Sequence, residues 1–516
     1  MENPQVTGSI QTPSGGAVTG GVEVPPTGLA ATATVNDLLN NAPRSRFHRR
    51  AVVISGMGFF TDAYDLFVIS TVAVLVKAQW HLSTTQTSWV AGSTILAAFV
   101  GALVFGRIAD VLGRKSVYAL VAVIMIVGAL TSAFATGFWW LVVARFILGL
   151  GIGGDYPVSA VLMSEYANRD DRGRLVGLVF SMQALGLIVG PLVGLLLLAS
   201  GISHDLTWRL MLGLGAAPAA AVVYLRAKMP ESPRFQARVQ GEVNRAASQL
   251  AAFSEGVVRA PMTISQGGPQ RIGLGRFLTD RRTLLLLLGT AGSWFLFDYA
   301  YYGNTLSLPA ILKEVAPHAT LIAKLAWTLG MFMVFAVPGY LLAFTKMDKI
   351  GHRRLQLLGF GVMAGAFAAL GAIHVLTTVV APFLLIFGLS YFFIEFGPNT
   401  TTFVLPSELF PVSMRTTGHG IAAGIGKLGA FIGVFLVPQL QKHIGLRGML
   451  LVAGGSSVGG YLLTLLLPEP AGRNLEEVSG EDQGFPLVVE QTSVPVGEVV
   501  QVAESRTSPA VQDVVL

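Results

Sequence analysis

The chain has 516 residues, 52% of them hydrophobic and only 12% charged, with 60 glycines, no cysteine and a net charge of +6. Soluble domains carry about 25% charged residues, so no soluble core could hide this much apolar surface, and the chain reads as a polytopic membrane protein. Disulfides, thiolate chemistry and Cys-based metal sites are excluded; the eight histidines show no HExxH-like spacing, so neither metal nor cofactor is expected.

Residues 1–45 are rich in Gly, Pro, Thr and Val and lack the basic start and continuous apolar run of a signal peptide. They are expected to form a disordered tail. Arg44, Arg46, Arg49 and Arg50 make a basic collar against the first apolar segment. A collar abutting a span marks the cytoplasmic side of a bilayer better than a nucleic-acid interface, and no nucleic acid is expected as a partner. Apolar segments follow at about 51–76, 88–109, 116–136, 138–166, 174–199 and 206–226, and, after a polar stretch, at about 283–312, 321–345, 355–376, 379–408, 416–440 and 447–467. Each is long enough to cross a hydrocarbon core of about 30 Å. The expected fold is therefore an all-α membrane protein of twelve transmembrane helices in two six-helix halves. The halves are residues 46–229 and 283–467, with a central loop at 230–282 and a C-terminal tail at 468–516.

Placement of Lys and Arg sets the orientation. Arg107, Arg114 and Lys115 follow span 2, Arg169, Arg172 and Arg174 follow span 4, and Lys346, Lys349, Arg353 and Arg354 follow span 8. The central stretch holds ten more, beginning with Arg226, while the loops after spans 3 and 9 have none. Both termini and the central loop are expected to be cytoplasmic, in a multi-pass protein of the plasma membrane.

The halves echo each other. GRIADVLGRK (106–115) answers TKMDKIGHRR (345–354), SEYANRDDRGRLVG (164–177) answers SELFPVSMRTTGHG (407–420), and PESPR (230–234) answers PEPAGR (468–473). Duplicated halves place a substrate site at their interface near the bilayer midplane. Asp110 with Arg114, and Glu165 with Arg174, are expected to be charge pairs at the cytoplasmic ends of spans. Such pairs gate transport without touching substrate.

The polar residues inside the spans carry the chemistry. In GMGFFTDAYDLF (56–67), Asp62 and Asp65 stand at i and i+3 on one helix face. Two acids close together in low dielectric suit proton carriage, although a polar cavity lining remains open. In span 4, LGLGIGGDYPVSAVLMSEYA (148–167) puts Asp155 and Tyr156 at membrane depth. Its glycines admit another backbone or a ligand, and Pro157 offers a kink. Arg145 is a rival cation, read as structural because it lies outward of GGDYP. Gln183 in span 5 either bridges helices or lines the site. Trp294, Asp298 and Tyr302 recur every four residues along one face of span 7. FGPNTTTF (396–403) sets Asn399 beside a Gly-Pro break, and GIGKLGA (424–430) buries Lys427. Donors plus one cation suit a small oxyanion, and the acids suit protons.

GRIADVLGRK resembles the loop signature of the major facilitator superfamily, over about residues 46–480. PESPR and LPEPAGRNLEE resemble its sugar-porter-like branch. GMGFFTDAYDLF, GGDYPVSAVLMSEYA, the Trp294–Asp298–Tyr302 spacing, FGPNTTTF and GHGIAAGIGKLGA resemble the inorganic phosphate:proton symporters. That resemblance implies the major facilitator fold and proton-coupled phosphate uptake by alternating access. It implies phosphate binding by Tyr156, Gln183, Trp294, Asp298, Tyr302 and Asn399, and a proton pathway of Asp62, Asp65, Asp155 and Lys427. Phosphate still carries a proton near neutral pH and can donate to Asp298. Sulfate cannot, so the acceptor would discriminate between them. One departure is Glu395, which stands one turn before Asn399 where the family usually has an amide. A carboxylate near an anion site is awkward unless protonated or turned away. A proton-coupled sugar or organic-acid porter is the alternative on this scaffold; a nutrient receptor without net transport is a second, lacking a folded cytoplasmic domain to support it. No nucleophile–base–orienter set suggests an enzyme.

Overall fold

The structure, a computed structural model, describes residues 39–41, 44–242, 245–246, 248–249, 262–264, 271–481 and 489–491. Most of the expected tails (1–45 and 468–516) and much of the central loop (230–282) lie outside the described residues. The first six spans are α1 (Arg46–Trp80), α2 (Thr84–Leu112), α3 (Arg114–Ala133), α4 (Phe138–Tyr166), α5 (Arg172–Ala199) and α6 (His204–Gln240). Then come α7 (Arg281–Leu306), α8 (Leu321–Ile350), α9 (His352–Ala372) and α10 (Val380–Leu409). A final run, Arg415–Thr464, has 50 residues and a non-helical Gly445 (φ 70°, ψ 172°) inside it. Straight, it would measure about 75 Å, far beyond one crossing. It turns at Gly445 into α11 (415–444) and α12 (446–464). The eleven apolar helical stretches among the described residues thus hold twelve crossings. Outside them, Met262–Ile264 pairs antiparallel with Val489–Gln491.

Buried side chains form one large cluster running through both halves, while long apolar side chains such as Leu196, Val334, Leu385 and Leu462 are exposed, as a lipid-facing surface requires. Glycine sets the tightest helix contacts. A Cβ on Gly149 would stand 2.1 Å from the Thr94 carbonyl oxygen, and one on Gly153 2.0 Å from that of Ala98. Gly149 and Gly153 of α4 therefore serve a close approach to the α2 backbone, and Gly151 one to α3 at Val121 and Met125, not a ligand. The second half repeats the device: Cβ atoms on Gly429 and Gly433 of α11 would stand 2.2 Å from the carbonyl oxygens of Phe295 and Tyr299 in α7. Gly153→Val is expected to cost several kcal/mol, beyond the usual ~1–3 kcal/mol of overpacking because backbone must move. The expected readout is loss of the monodisperse detergent-solubilised species on size-exclusion chromatography; Gly455→Val, where the added Cβ meets nothing, is the control.

Helix interruptions fall elsewhere than GGDYP suggests. α4 is continuous helix through Pro157. Interruptions occur at Met182 in α5, between Arg172–Ser181 and Gln183–Ala199, at Gly215 and over residues 229–232 in α6, at a π-turn Phe332–Ala336 in α8, and at Gly397 in α10 (φ −117°, ψ −108°). Those in α5, α8 and α10 lie within about a turn of a polar residue that enters the centre: Gln183, Tyr340 and Asn399.

Candidate functional site

The central polar residues of both halves meet in one buried network. The Tyr156 hydroxyl donates to Asp62 Oδ2 at 2.6 Å, and Gln183 Nε2 donates to the same oxygen and to the Tyr156 hydroxyl, both at 3.1 Å. The link to the second half is the Tyr340 hydroxyl, which donates to Gln183 Oε1 at 3.2 Å. Asn399 Nδ2 donates in turn to Tyr340 at 2.8 Å. On the opposite wall, Lys427 Nζ donates to Asp298 Oδ2 at 3.2 Å and to the Tyr302 hydroxyl at 3.1 Å. Its ammonium also stands 4.5 Å from the Tyr156 ring centroid and 4.4 Å from that of Tyr302, within cation–π range. Trp294 closes the ring, with its centroid 6.1 Å from Tyr156 and 5.8 Å from His419.

All the residues expected to bind phosphate are buried, none more than 3% exposed. Asp298 Oδ1 and Asp62 Oδ1 accept no hydrogen bond from the described residues. Buried acceptors without donors are costly. They favour either a proton on the carboxyl or a guest that can donate.

Within the expected proton pathway, Asp65 and Asp155 are not partners of Lys427, whose ion pair is with Asp298 of its own half at 3.2 Å. Asp155 is held by Arg226 of α6 at 2.6 Å. Asp65 faces Arg145 at 3.6 Å, so Arg145 is the counter-ion of a buried acid. Asp62 and Asp65 share a helix but not a neighbour: three residues along a helix leave them about 60° apart, enough to send one to the site and the other to α4. Glu395 is buried and held by donors from α7 and α10. It accepts from the Tyr301 hydroxyl at 3.0 Å and from Asn399 Nδ2, and so joins the network through Asn399. Tyr340, Tyr301 and His419 were missed. The Pro338-Gly339-Tyr340 sequence, a phenol after a helix-loosening pair, is the signal that could have found Tyr340.

Below the site, the three duplicated motifs lock the halves on the face that bears the loops after α2, α4, α8 and α10. Asp110 accepts from Thr417 N at 2.6 Å and Thr417 Oγ1 at 2.7 Å, so an acid of the first half caps the N-terminus of α11 in the second. Arg114 reaches both Asp110 and Glu165 at 3.2 Å and donates to the Val412 carbonyl at 2.7 Å. Glu165 binds Arg415 of the other half at 3.3 Å. The pattern recurs with the halves exchanged: Glu408 binds His352 of its own half at 3.2 Å and Arg172 of the other at 2.9 Å. The expected Glu165–Arg174 pair is not formed. Arg174 is exposed, with only its backbone N–H on Asp348. Arg172, two residues and about 200° away on the helix, faces inward in its place.

Residues 473–481 strap this seam. Glu476 pairs with Arg234, Glu481 with Arg238 and Arg415 at 3.5 and 3.6 Å, and Arg172 donates to the Arg473 carbonyl at 2.7 Å. Burial pushes the Glu476 carboxyl up, but Arg234, then Arg238 and Arg415, more than offset it and hold it at about 2. A depressed carboxyl contributes above its unfolded value and is lost only as pH falls through the folded one. The strap is thus intact at physiological pH.

This lock yields a prediction. Breaking a buried pair by removing one partner costs about 3–5 kcal/mol, so Arg415→Ala and Arg172→Ala should open the seam, whereas Arg174→Ala should not. The chain has no cysteine, so a single Thr402→Cys, buried in α10, reports opening cleanly. Its alkylation should quicken about 10-fold or more in the first two variants. An unchanged rate would show that the seam does not gate this path.

Toward the opposite face the closure is apolar and thin. Phe67 lies against Tyr302 at 6.4 Å and Phe332 at 5.8 Å, and beyond this layer an open cleft begins. The sequence model of the sugar (and other) transporter family matches residues 51–481. Inorganic phosphate transporter 1-11 of Oryza sativa subsp. japonica is 35% identical over 504 residues, covering 87% of this chain and 90% of the relative. Low affinity inorganic phosphate transporter 4 of Petunia hybrida is 36% identical, covering 87% and 94%. Among solved structures, the major facilitator superfamily proton:xylose symporter XylE aligns with a TM-score of 0.71 at 19% identity, covering 85% of this chain and all of that one.

Proposed function

The chain belongs to the sugar (and other) transporter family of the major facilitator superfamily and to its inorganic phosphate transporters, and from that premise we propose that it takes up inorganic phosphate together with protons by alternating access. The observation that carries the reading is the closed central network. A single ammonium, Lys427, stands beside Asp298, the Tyr302 hydroxyl and the Tyr156 ring, and the amides Gln183 and Asn399 belong to the same network. Ammonium, hydroxyl and amide groups solvate an oxyanion. Asp298 and Asp62 take protons, or accept one from a phosphate that still carries it.

Protonation of Asp298 releases Lys427 from its ion pair and lets it neutralise the entering anion, so proton and phosphate favour each other's binding. Asp155 and Asp65, held by Arg226 and Arg145, set the charge of the first half. Alternation then consists of breaking either the ion-pair seam or the aromatic layer. Both termini lie on the cytoplasmic side, and the membrane is the plasma membrane; the basic loops support this orientation.

The test is competition for labelled phosphate bound to purified protein. Arsenate, which keeps a proton as phosphate does, should displace it; sulfate should be at least ten times weaker. Displacement by xylose at similar concentration would favour a sugar porter and overturn the proposal.

A further inference from the structure

Above the aromatic layer lies the open cleft, with a volume of about 580 Å³. Lys77 from the end of α1, Lys313 from the short helix Leu308–Val315 and Lys324 from the first turn of α8 all line it. No aspartate or glutamate does. Among the described residues the one lysine in an ion pair is Lys427, so none of these three is held in one. Glu314, next to Lys313 in sequence, accepts from Gln441 at 2.6 Å, and Asp205 accepts from Gln79 and Arg209 at 2.8 and 2.9 Å; neither lines the cleft. Ser88 and Ser307 add hydroxyls to the same walls.

The cleft leads to the site. Its lining includes Leu306, one turn beyond Tyr302 on α7, and Val434, two turns or about 10 Å beyond Lys427 on α11. Between the two stand Phe67, Tyr302 and Phe332. A purely positive cleft thus opens on the side away from the ion-pair seam and ends on the thin side of the binding chamber.

We propose that this cleft is a capture site for the phosphate group, in which Lys77, Lys313 and Lys324 hold the anion before the aromatic layer opens. The inference rests on the phosphate reading above. Three like charges lining one cleft add their potentials within it, and apolar walls focus their field, an effect that salt weakens. Ammoniums on long flexible stems hold an anion without stripping its water, as a stage from which it must move on requires. The same chemistry would hold a lipid phosphate headgroup, and the experiment separates the two.

Initial phosphate uptake is measured in cells lacking their own phosphate uptake, for the full chain and for the Lys77→Gln/Lys313→Gln/Lys324→Gln variant, at several concentrations of choline chloride. The wild-type KM should rise with salt. In the variant KM should be about 3- to 10-fold higher at low salt and nearly flat with salt, with the maximal rate changed less than twofold. Equal KM and equal salt slope in the two proteins would overturn the proposal. In a second arm both proteins are reconstituted in phosphatidylcholine with or without phosphatidylglycerol. A difference that appears only with the anionic lipid assigns the cleft to a headgroup and also overturns it. A wild type that carries no phosphate overturns instead the functional reading on which the inference rests.

Discussion

Lys427→Ala is expected to abolish phosphate accumulation. The ammonium is 2% exposed and is the one cation bonded within the central network. Truncating a buried charged partner costs about 2–5 kcal/mol, a loss of roughly 30-fold or more in anion affinity. The variant should still fold, because Asp298, left without its counter-ion, can take up a proton in place of the pair. Proton coupling should go with the anion, since no charge remains for protonation of Asp298 to release. Lys427→Arg should rescue only part: a planar guanidinium cannot sit at once beside Asp298, the Tyr302 hydroxyl and two ring faces as a compact ammonium does. The measurement is phosphate uptake with internal pH recorded alongside. Wild-type proton movement per phosphate in Lys427→Ala would reduce Lys427 to a structural cation.

Asp298→Asn is expected to separate binding from coupling. Asparagine keeps the shape and one acceptor near Lys427 but cannot titrate. Phosphate exchange across the membrane should persist within about 10-fold of wild type, while uphill accumulation driven by a proton gradient should vanish. Lys427, no longer paired when the site is empty, would then bind phosphate at pH values where the wild-type carboxylate repels it. The pH dependence of phosphate binding should therefore flatten toward alkaline pH. Accumulation that still follows an inward proton gradient in Asp298→Asn would move the coupling proton elsewhere, to Asp62 or Glu395, both buried in the network without an ion pair among the described residues.

Much of this was legible in the sequence because it depends on one helix at a time. Segment length and hydropathy set the crossings, and a four-residue period put Trp294, Asp298 and Tyr302 on one wall. The duplicated motifs located the seam where the halves meet. Partners across helices were less legible, because they depend on how each helix is rotated and tilted. Arg226 reads as one more basic loop residue at the end of a span, yet its stem returns to Asp155. Arg172 and Arg174 are indistinguishable by composition, and only the helix face decides that Arg172 reaches Glu408. The GLGIGG run allowed a ligand or a backbone, and contact with Thr94 and Ala98 decides for backbone. Glu395 looked misplaced beside an anion site because its own helix does not reveal Tyr301, which holds it from α7.

The central claim, that protons drive phosphate through this site, is tested most directly in proteoliposomes holding purified protein and an internal pH dye. With acid imposed outside and equal phosphate on both sides, the account predicts that phosphate accumulates inside, that the interior acidifies in proportion to the phosphate taken up, and that Lys427→Ala does neither. Phosphate equilibrating without accumulation, at a rate indifferent to the imposed gradient, would contradict it.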